Sequence, residues 1–217
     1  MNAPLPAEDR QPRKQSRDTR RQQLIMSTIA VIAERGYSRT TMSDVARHAG
    51  LSHGLVNFHF ENKDRLLSET LMFLSREYRD NWVAALEAAP KDPAHQLDAL
   101  IRADFNEAIC TPDRLSAWCS FWGEAQCRPL YQQECGANDE EYADRLNAIC
   151  RDLAAREGTP LVAERAARVL RVTMEGVWLE LMTMTSPYSR DEAMITVFTC
   201  AAAFFPNSFS DQGLLRR

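Results

Sequence analysis

Apolar residues recur at the three- and four-residue spacing of an α-helix along almost the whole chain, and this periodicity restricts the fold more than any other feature. No segment shows the convincing two-residue alternation that is typical of a half-buried strand. The 217 residues are 45% hydrophobic, which is enough for a substantial buried core. We therefore expect an all-α protein.

Capping residues and prolines predict where the helices begin and end. Thr41 with Asp44 resembles a capping box, and Ser52 and Asn62 can cap the next two helices. A proline at the first helical position is tolerated because its missing N–H has no partner there. These signals predict about nine helices: 17–35, 42–49, a short one after Ser52, 63–87, three that begin at Pro93, Pro112 and Pro160, one within 129–156, and 190–205.

The helices divide into unequal parts with opposite net charge. We expect a disordered basic tail at 1–16, a three-helix unit at 17–62 and a helical bundle at 63–217. Residues 1–60 hold nine Lys and Arg against five Asp and Glu, a net charge of +4, whereas the other 157 hold 17 against 25, a net charge of −8. The positive part suits a polyanion, and the acidic part suits a cation. The charge alone is equally compatible with a solvated basic tail.

Helices 2 and 3 are short and are separated by the turn HAGLS, an arrangement typical of a helix-turn-helix. Leu51, Leu55 and Phe58 have the spacing of an inward face that packs on helices 1 and 2. The opposite face would present Ser52, His53, Asn57 and His59. Small, hydrogen-bonding side chains let a helix lie deep in the major groove, so we expect helix 3 to contact base edges and phosphates.

Two other interpretations of this segment remain open at the level of sequence. His48, His53 and His59 could form a metal site, but their spacing is wrong for one helix face and no acidic or thiol ligand lies close in sequence. The segment could also be a purely structural helical hairpin, against which the surrounding basic residues argue. The six cysteines include no C-x-x-C pair, so we expect reduced thiols, no metal and no cofactor.

The stretch from 20 to 67 resembles the DNA-binding region of the TetR family of repressors. The shared motifs are Gly36-Tyr37, Thr41, Asp44-Val45-Ala46, Ala49-Gly50-Leu51-Ser52, Gly54, Phe60 and Lys63-Asp64-Arg65-Leu66. His59 replaces the tyrosine that the family usually has before this phenylalanine. The resemblance implies phosphate contacts from Thr41, Ser52, His59 and Lys63, and base-reading positions at His53, Gly54, Leu55 and Asn57.

Elementary chemistry supports several of these roles. Free N–H groups at helix N-termini attract phosphate near Thr41 and Ser52, and Arg17 and Arg20 at the start of helix 1 can neutralise the DNA backbone. The amide of Asn57 can pair with adenine.

Aromatic residues concentrate in the second part of the chain. Trp118 and Trp122 share helix 6, and Trp178 lies on helix 8. An aromatic stripe is usually core, but indole faces also bind cations with about 0.5 to 2 kcal/mol each. A site for a quaternary ammonium ligand is therefore physically reasonable, with Asp104, Glu124 or Glu175 as an acidic neighbour, and an ordinary aromatic core remains the alternative.

Residues 110–146, with a C-T-P segment, a W-x-x-F-W core and a following R-P, resemble the C-terminal half of the choline-responsive BetI subgroup of the family. That resemblance implies choline or betaine aldehyde as inducer and control of choline and glycine betaine genes. With it, we predict a ligand cage from six residues: Phe105, Trp118, Trp122, Trp178, Tyr131 and Glu124. A multidrug-type repressor of the same family, sensing other lipophilic cations, is the alternative.

The acidic bundle would also dimerise. Apolar stripes on helices 8 and 9 make these the expected homodimer contact: Val169, Thr173, Val177, Ala193, Val197, Cys200, Ala201 and Phe204. In the family the last two helices pair with their copies, which implies a two-fold dimer on a palindromic operator in double-stranded DNA. We expect a cytoplasmic protein with no membrane segment, because the start lacks a signal peptide and the longest apolar run is too short to span a bilayer. An all-helical enzyme or carrier is disfavoured by the absence of catalytic motifs.

Overall fold

The structure, a computed structural model, describes residues 10–125, 129–159 and 163–215. Within these ranges the chain is almost entirely helical, which confirms the expected all-α class. The helices are α1 (Arg10–Arg35), α2 (Met42–Ala49), α3 (His53–Phe60), α4 (Lys63–Ala88), α5 (Pro93–Asp104), α6 (Pro112–Ala125), α7 (Pro129–Arg156), α8 (Ala163–Thr183) and α9 (Arg190–Phe204). A short antiparallel hairpin, β1 (Phe209–Ser210) and β2 (Gly213–Leu214), follows α9.

The predicted caps begin the helices of the N-terminal unit. The Thr41 hydroxyl accepts the N–H of Asp44 at 3.1 Å, and the Ser52 hydroxyl accepts the N–H of Leu55 at 3.3 Å. Gly50 ends α2 with φ of 66°, a left-handed conformation that residues with a Cβ adopt at a cost. These local signals produce the helix-turn-helix, and α1 packs along it.

One helix start differs from the sequence-based prediction, and another is not tested. Helix α1 begins at Arg10, inside the segment predicted as a tail, instead of at Arg17. Helix α8 begins at Ala163, and the predicted start at Pro160 lies outside the described residues.

Helix α4 joins the N-terminal unit to the bundle. The Asn62 carboxamide caps its first turn by accepting the N–H of Arg65 at 2.8 Å, as predicted. Its first half contributes Leu66, Leu67 and Leu71 to the core beneath α1 and α3, and Trp82 is buried near its other end. The helix therefore lies against both halves of the molecule.

The bundle is held at its far end by polar contacts around the C-terminal hairpin. Arg156 of α7 donates to Asp92 at 2.5 Å and to Ser208 at 3.0 Å. The Ser208 hydroxyl donates to Glu157 at 2.5 Å. These bonds fasten the chain after α9 to the ends of α5 and α7.

Candidate DNA-binding surface and ligand cavity

The exposed face of α3 carries a preorganised polar pair. His53, Gly54 and Asn57 are exposed, and Asn57 Nδ2 lies 3.2 Å from His53 Nδ1. An amide nitrogen can only donate, so the imidazole nitrogen accepts and the proton of neutral His53 lies on Nε2. This bond leaves two donors available, His53 Nε2 and the second Asn57 N–H, and one acceptor, Asn57 Oδ1.

Predicted phosphate-contacting residues border this face. Arg17 and Arg20 are exposed on α1, and Lys63 Nζ donates to the carbonyl of Ser38 at 2.9 Å. The Thr41 hydroxyl donates to the Asp44 carboxylate at 2.6 Å. This hydrogen bond, with nearby arginines, holds the pKa of Asp44 below its ordinary value.

The inward face of α3 differs from the predicted one. Phe58 was expected in the core, yet its side chain is 65% exposed, while Val56 and Phe60 are completely buried. Val56, His59 and Phe60 are spaced i, i+3 and i+4, so they share the face toward α1 and α4. The guanidinium of Arg17 lies 5.5 Å from the centre of the Phe58 ring.

His59 is likewise placed differently from the prediction. It was expected at the surface as a phosphate donor, but only 8% of it is exposed, since it lies on the inward face of α3. Burial, followed by the charges of Arg17 and Arg21, lowers the pKa of His59. Its Nδ1 is buried and has no hydrogen-bond partner in the described part of the chain. The imidazole is therefore neutral and mostly covered in this conformation.

A cavity of about 60 Å³ lies in the bundle, enclosed by side chains from α4, α5, α6, α7 and α8. Four of the six predicted cage residues line it: Trp118, Trp122, Trp178 and Tyr131. The ring centres of Trp122 and Trp178 are 6.3 Å apart in a stacked arrangement, and those of Trp118 and Trp122 are 6.2 Å apart. Seven further residues complete the wall: Tyr78, Asp104, Asp139, Tyr142, Arg171, Met174 and Glu175.

The polar groups of the cavity fall into separate sets. Deep in the wall, the Tyr78 hydroxyl donates to Asp104 at 2.8 Å. On another side, Trp122 Nε1 donates to the Tyr131 hydroxyl, which donates to Asp139, each at 3.2 Å.

A third set lies on α8, where Arg171 pairs with Glu175 at 2.9 Å; the side chain of Glu175 is 46% exposed. Burial raises the pKa of Asp139 above its ordinary value, and it raises that of Asp104 to about 7. Three carboxyl groups and one guanidinium thus surround the aromatic rings, which favours a cation.

Two predicted cage residues do not line the cavity. Phe105 is buried, but it follows the last residue of α5 and lies in a shallow groove beside α9. Glu124 faces the N-terminal unit and accepts a hydrogen bond from Ser38 at 3.3 Å. Asp104, which precedes Phe105 in sequence, lines the cavity instead, and Glu124 lies two positions after the cavity residue Trp122, about 200° further around α6.

Sequence analysis missed several wall residues, above all Tyr78 and Tyr142. Their ring centres are 5.7 Å apart, and Tyr78 also lies 5.7 Å from Trp178. Both tyrosines occupy ordinary core positions on long helices, so their spacing carries no separate signal. The only hint available from sequence is that a buried tyrosine hydroxyl needs a hydrogen-bond partner, as Tyr78 needs Asp104.

Helix α6 connects the cavity to the N-terminal unit. Two of its residues, Trp118 and Trp122, face the cavity, while Phe121 contacts Tyr37 with ring centres 5.5 Å apart. On the α4 side, Arg21 pairs with Glu69 and donates to the carbonyl of His59 at 3.1 Å. The wall of the cavity and the base of α3 are thus joined through two helices.

An exposed apolar stripe runs along α8. Val169, Val172 and Leu179 are 37%, 59% and 48% exposed and lie on one face together with Gly176. Of the predicted dimer stripe, four residues are instead buried inside the chain, where α8 and α9 pack on each other and on the bundle: Val177, Ala193, Val197 and Ala201.

Two family profiles match the chain. One, described as "Bacterial regulatory proteins, tetR family", covers residues 24–70, and the other, "BetI-type transcriptional repressor, C-terminal", covers residues 93–206. The chain therefore belongs to the TetR family of transcriptional regulators, which are not enzymes. Within that family, it is a transcriptional repressor of the BetI type.

Named relatives agree with this assignment. The regulator BetI 2 of Chromohalobacter salexigens is 32% identical over 74% of this chain and 76% of its own length. BetI of Paraburkholderia phymatum is 30% identical, over 84% and 91% respectively.

Solved structures have the same fold. A transcriptional regulator from Pseudomonas aeruginosa PAO1 has a TM-score of 0.73, 25% identity and coverage of 87% of this chain and 91% of that one. A regulator from Saccharomonospora viridis, solved in complex with choline, has a TM-score of 0.69, 21% identity and coverage of 83% and 94%. Among the described residues, no helix is long and apolar enough to cross a membrane. The same residues contain no cluster of potential metal ligands.

Proposed function

We propose that this repressor is a cytoplasmic homodimer that binds a palindromic operator and is released by a small quaternary ammonium compound, choline or betaine aldehyde. It would thereby control genes of choline and glycine betaine metabolism. The observation that carries the proposal is the cavity in which indole rings of Trp118, Trp122 and Trp178 face buried and half-buried carboxyl groups. The names of the BetI relatives agree with it.

The chemistry of the cavity favours an ammonium that cannot donate hydrogen bonds. A quaternary nitrogen is recognised by aromatic faces and by opposite charge, and the wall supplies both. Trp178 Nε1 is a buried donor without a partner in the described chain, so an oxygen on the ligand would satisfy it. The choline bound by the S. viridis protein, which has the same fold, is a ligand of this kind.

The size of the cavity favours a small cation over the bulky cations of the multidrug alternative. A volume of about 60 Å³ accommodates only a few groups of the size of water or methyl. Bulky lipophilic cations would require the rings to move apart.

On the DNA side, Asn57 and His53 would read bases, and Gly54 and Leu55 would permit close approach to the groove. Thr41, Ser52 and Lys63 would lie at phosphates, with Arg17 and Arg20 adding positive charge at the start of α1. The exposed pair of His53 and Asn57 supports this assignment, since its free donors and acceptor match base edges. The exposed Phe58 ring adds an apolar group beside them, suited to a thymine methyl group.

Dimerisation would use α8 and α9. The exposed stripe of Val169, Val172 and Leu179 is apolar surface that a second copy would cover. A two-fold axis there would present two copies of α3 to successive major grooves about 34 to 36 Å apart.

Ligand binding would act on DNA binding through α6 and α4. Helix α6 carries the cavity residues Trp118 and Trp122, and its Phe121 contacts Tyr37. Helix α4 carries the cavity residue Tyr78 and Glu69, which pairs with Arg21. An inducer shifts the equilibrium only by its differential affinity for the two conformations. A coupling of about 1 to 3 kcal/mol would weaken operator binding about 5- to 150-fold.

Footprinting and fluorescence anisotropy on the DNA upstream of the gene, with and without choline, would test the proposal. We expect a protected palindrome, loss of protection in choline and an unchanged dimer mass in both conditions. A bulky cationic dye at equal concentration is the control for the multidrug alternative. Failure to prefer any upstream fragment over random duplex, or release by the dye alone, would contradict the proposal.

A further inference from the structure

Asp104 differs from the other acidic groups of the cavity in having no charged partner. It is the last residue of α5, only 3% exposed, and among the described residues it takes part in no ion pair. The guanidinium in the same wall, Arg171, is bound to Glu175. The hydrogen bond from Tyr78 comes from a neutral donor. A charged Asp104 would thus be a buried anion without a cation.

The electrostatic surroundings also oppose a negative charge at this place. The C-terminal end of α5 carries the negative end of the helix dipole, which disfavours an anion. From the other elements, Asp104 faces Tyr78 of α4, Tyr142 of α7 and Glu175 of α8, with Cys110 following on the chain. None of these is a cation, and Asp139 on α7 adds another acid to the wall.

These conditions favour a protonated Asp104 before a cation enters the cavity. Burial, followed by the charge of Glu175, raises the pKa of Asp104 to about 7, although the Tyr78 hydrogen bond opposes the shift. Near neutral pH the neutral and the charged form of this carboxyl group are therefore both populated.

A quaternary ammonium changes that balance when it enters. It brings a permanent positive charge into the wall, and an opposite charge within about 4 to 6 Å lowers the pKa of a carboxyl by about 1 to 3 units. The ligand has no N–H proton of its own, so the proton that leaves comes from the protein. The carboxylic acid becomes a carboxylate paired with the ligand, and one proton passes to solvent.

We propose that Asp104 is the counter-ion of the bound cation and that binding expels its proton, so the repressor responds to its inducer more strongly at alkaline than at acidic pH. This inference rests on the proposed function, since it concerns the same cavity and the same class of ligand. The sign follows from linkage: ligand binding requires the deprotonated form, which is depleted below the pKa of the free site.

Calorimetric titration of the full-length dimer with choline tests the inference directly. We expect the dissociation constant to be about tenfold larger at pH 6 than at pH 8, and about half a proton to be released at pH 7. The released proton is measured from the difference in heat between two non-cationic buffers of different ionisation enthalpy. Choline binding with equal affinity at both pH values and without proton release would overturn the inference and leave the proposed function intact.

Absence of choline binding at every pH would instead overturn the proposed function and this inference with it. The neutral isostere 3,3-dimethylbutan-1-ol is the matched ligand control. It has the shape of choline without the charge, so it should release no proton and should not bind more tightly as the pH rises. Equal proton release with this alcohol would contradict the role of ligand charge.

A pair of variants assigns the proton. Asp104→Asn keeps the shape and removes the charge, so it should weaken choline binding at pH 8 and flatten the pH profile. Asp139→Asn changes the half-buried acid on α7 and removes one negative charge from the wall, so choline binding can weaken while the slope of the pH profile should remain. A flat profile in Asp139→Asn with an unchanged one in Asp104→Asn would overturn the assignment. If Asp104→Asn does not fold, the wild-type profile and the neutral isostere still test proton release, and a flat profile in Asp139→Asn would by itself overturn the assignment to Asp104.

Discussion

The DNA-binding unit and the ligand cavity are built in opposite ways. The candidate reading face is assembled by 24 consecutive positions, 40–63, in which each cap or turn residue acts on its immediate neighbours. The cavity takes its wall from residues 78 to 178, and no two adjacent positions contribute to it except Met174 with Glu175. Local chemistry therefore governs the first region, and the packing of distant helices governs the second.

The largest expected effect concerns α3, whose inward face was predicted wrongly from the sequence pattern. Phe60→Ala should lower the free energy of unfolding by about 3 to 5 kcal/mol, since the ring is completely buried. Phe58→Ala is the matched control and should change it by less than about 0.5 kcal/mol, because that ring is mostly exposed. Urea unfolding at one fixed protein concentration measures both. Similar losses in the two variants would restore the sequence-based packing of α3.

The next effect tests the exposed face of α3. Asn57→Ala should weaken operator binding by about 1 to 3 kcal/mol for each half-site while leaving binding to random duplex nearly unchanged, because base contacts carry sequence discrimination. It should not alter the affinity for choline, since Asn57 is remote from the cavity wall. Anisotropy titrations with operator and random DNA measure the ratio. An equal loss on both DNAs would assign Asn57 to the DNA backbone instead.

A smaller effect tests the non-local region. Trp122→Leu should weaken choline binding by about 0.5 to 2 kcal/mol, the contribution of one aromatic face to cation binding. Phe105→Leu should leave choline affinity unchanged, because Phe105 was predicted in the cage but lies outside the cavity. Calorimetry at pH 8 compares the two. A larger loss in Phe105→Leu would mean that the ligand binds elsewhere in the bundle.

The smallest effect is seen only in salt dependence. Lys63→Gln should reduce the slope of log affinity against log salt concentration by about 2 for the dimer, about 1 for each of its two lysines, on operator and random duplex alike. Titrations between about 50 and 200 mM salt, where the plot is linear, measure this slope. An unchanged slope would show that Lys63 remains bonded to the Ser38 carbonyl when DNA is present.

How much could be predicted from sequence depends on the same contrast. Thr41, Ser52 and Asn62 cap helices as expected, because a cap involves groups within three residues. The inward face of α3 was misjudged, since eight residues make barely two turns and two adjacent apolar stripes compete for the core. The partners α1 and α4 decide between those stripes.

The cage was predicted in part for a related reason. Trp118, Trp122 and Trp178 were identifiable as large aromatic rings grouped away from the DNA-binding unit. Tyr78 was not, because nothing near it in sequence shows that its hydroxyl meets Asp104 across 26 positions. Only the crossing of α4 and α5 brings these two groups together.

The amino-acid sequence by itself determined the helical class, the caps, the helix-turn-helix and the kind of side chains available to a ligand. These properties depend on periodicity and on interactions within one or two helical turns, which the order of residues encodes directly. The tertiary structure alone decided that His59 and Phe60 turn inward while Phe58 turns outward, and that Asp104 is buried beside Tyr78 without a cation. Burial and pairing are set by which helices pack together, and that packing minimises exposed apolar area over the whole chain at once.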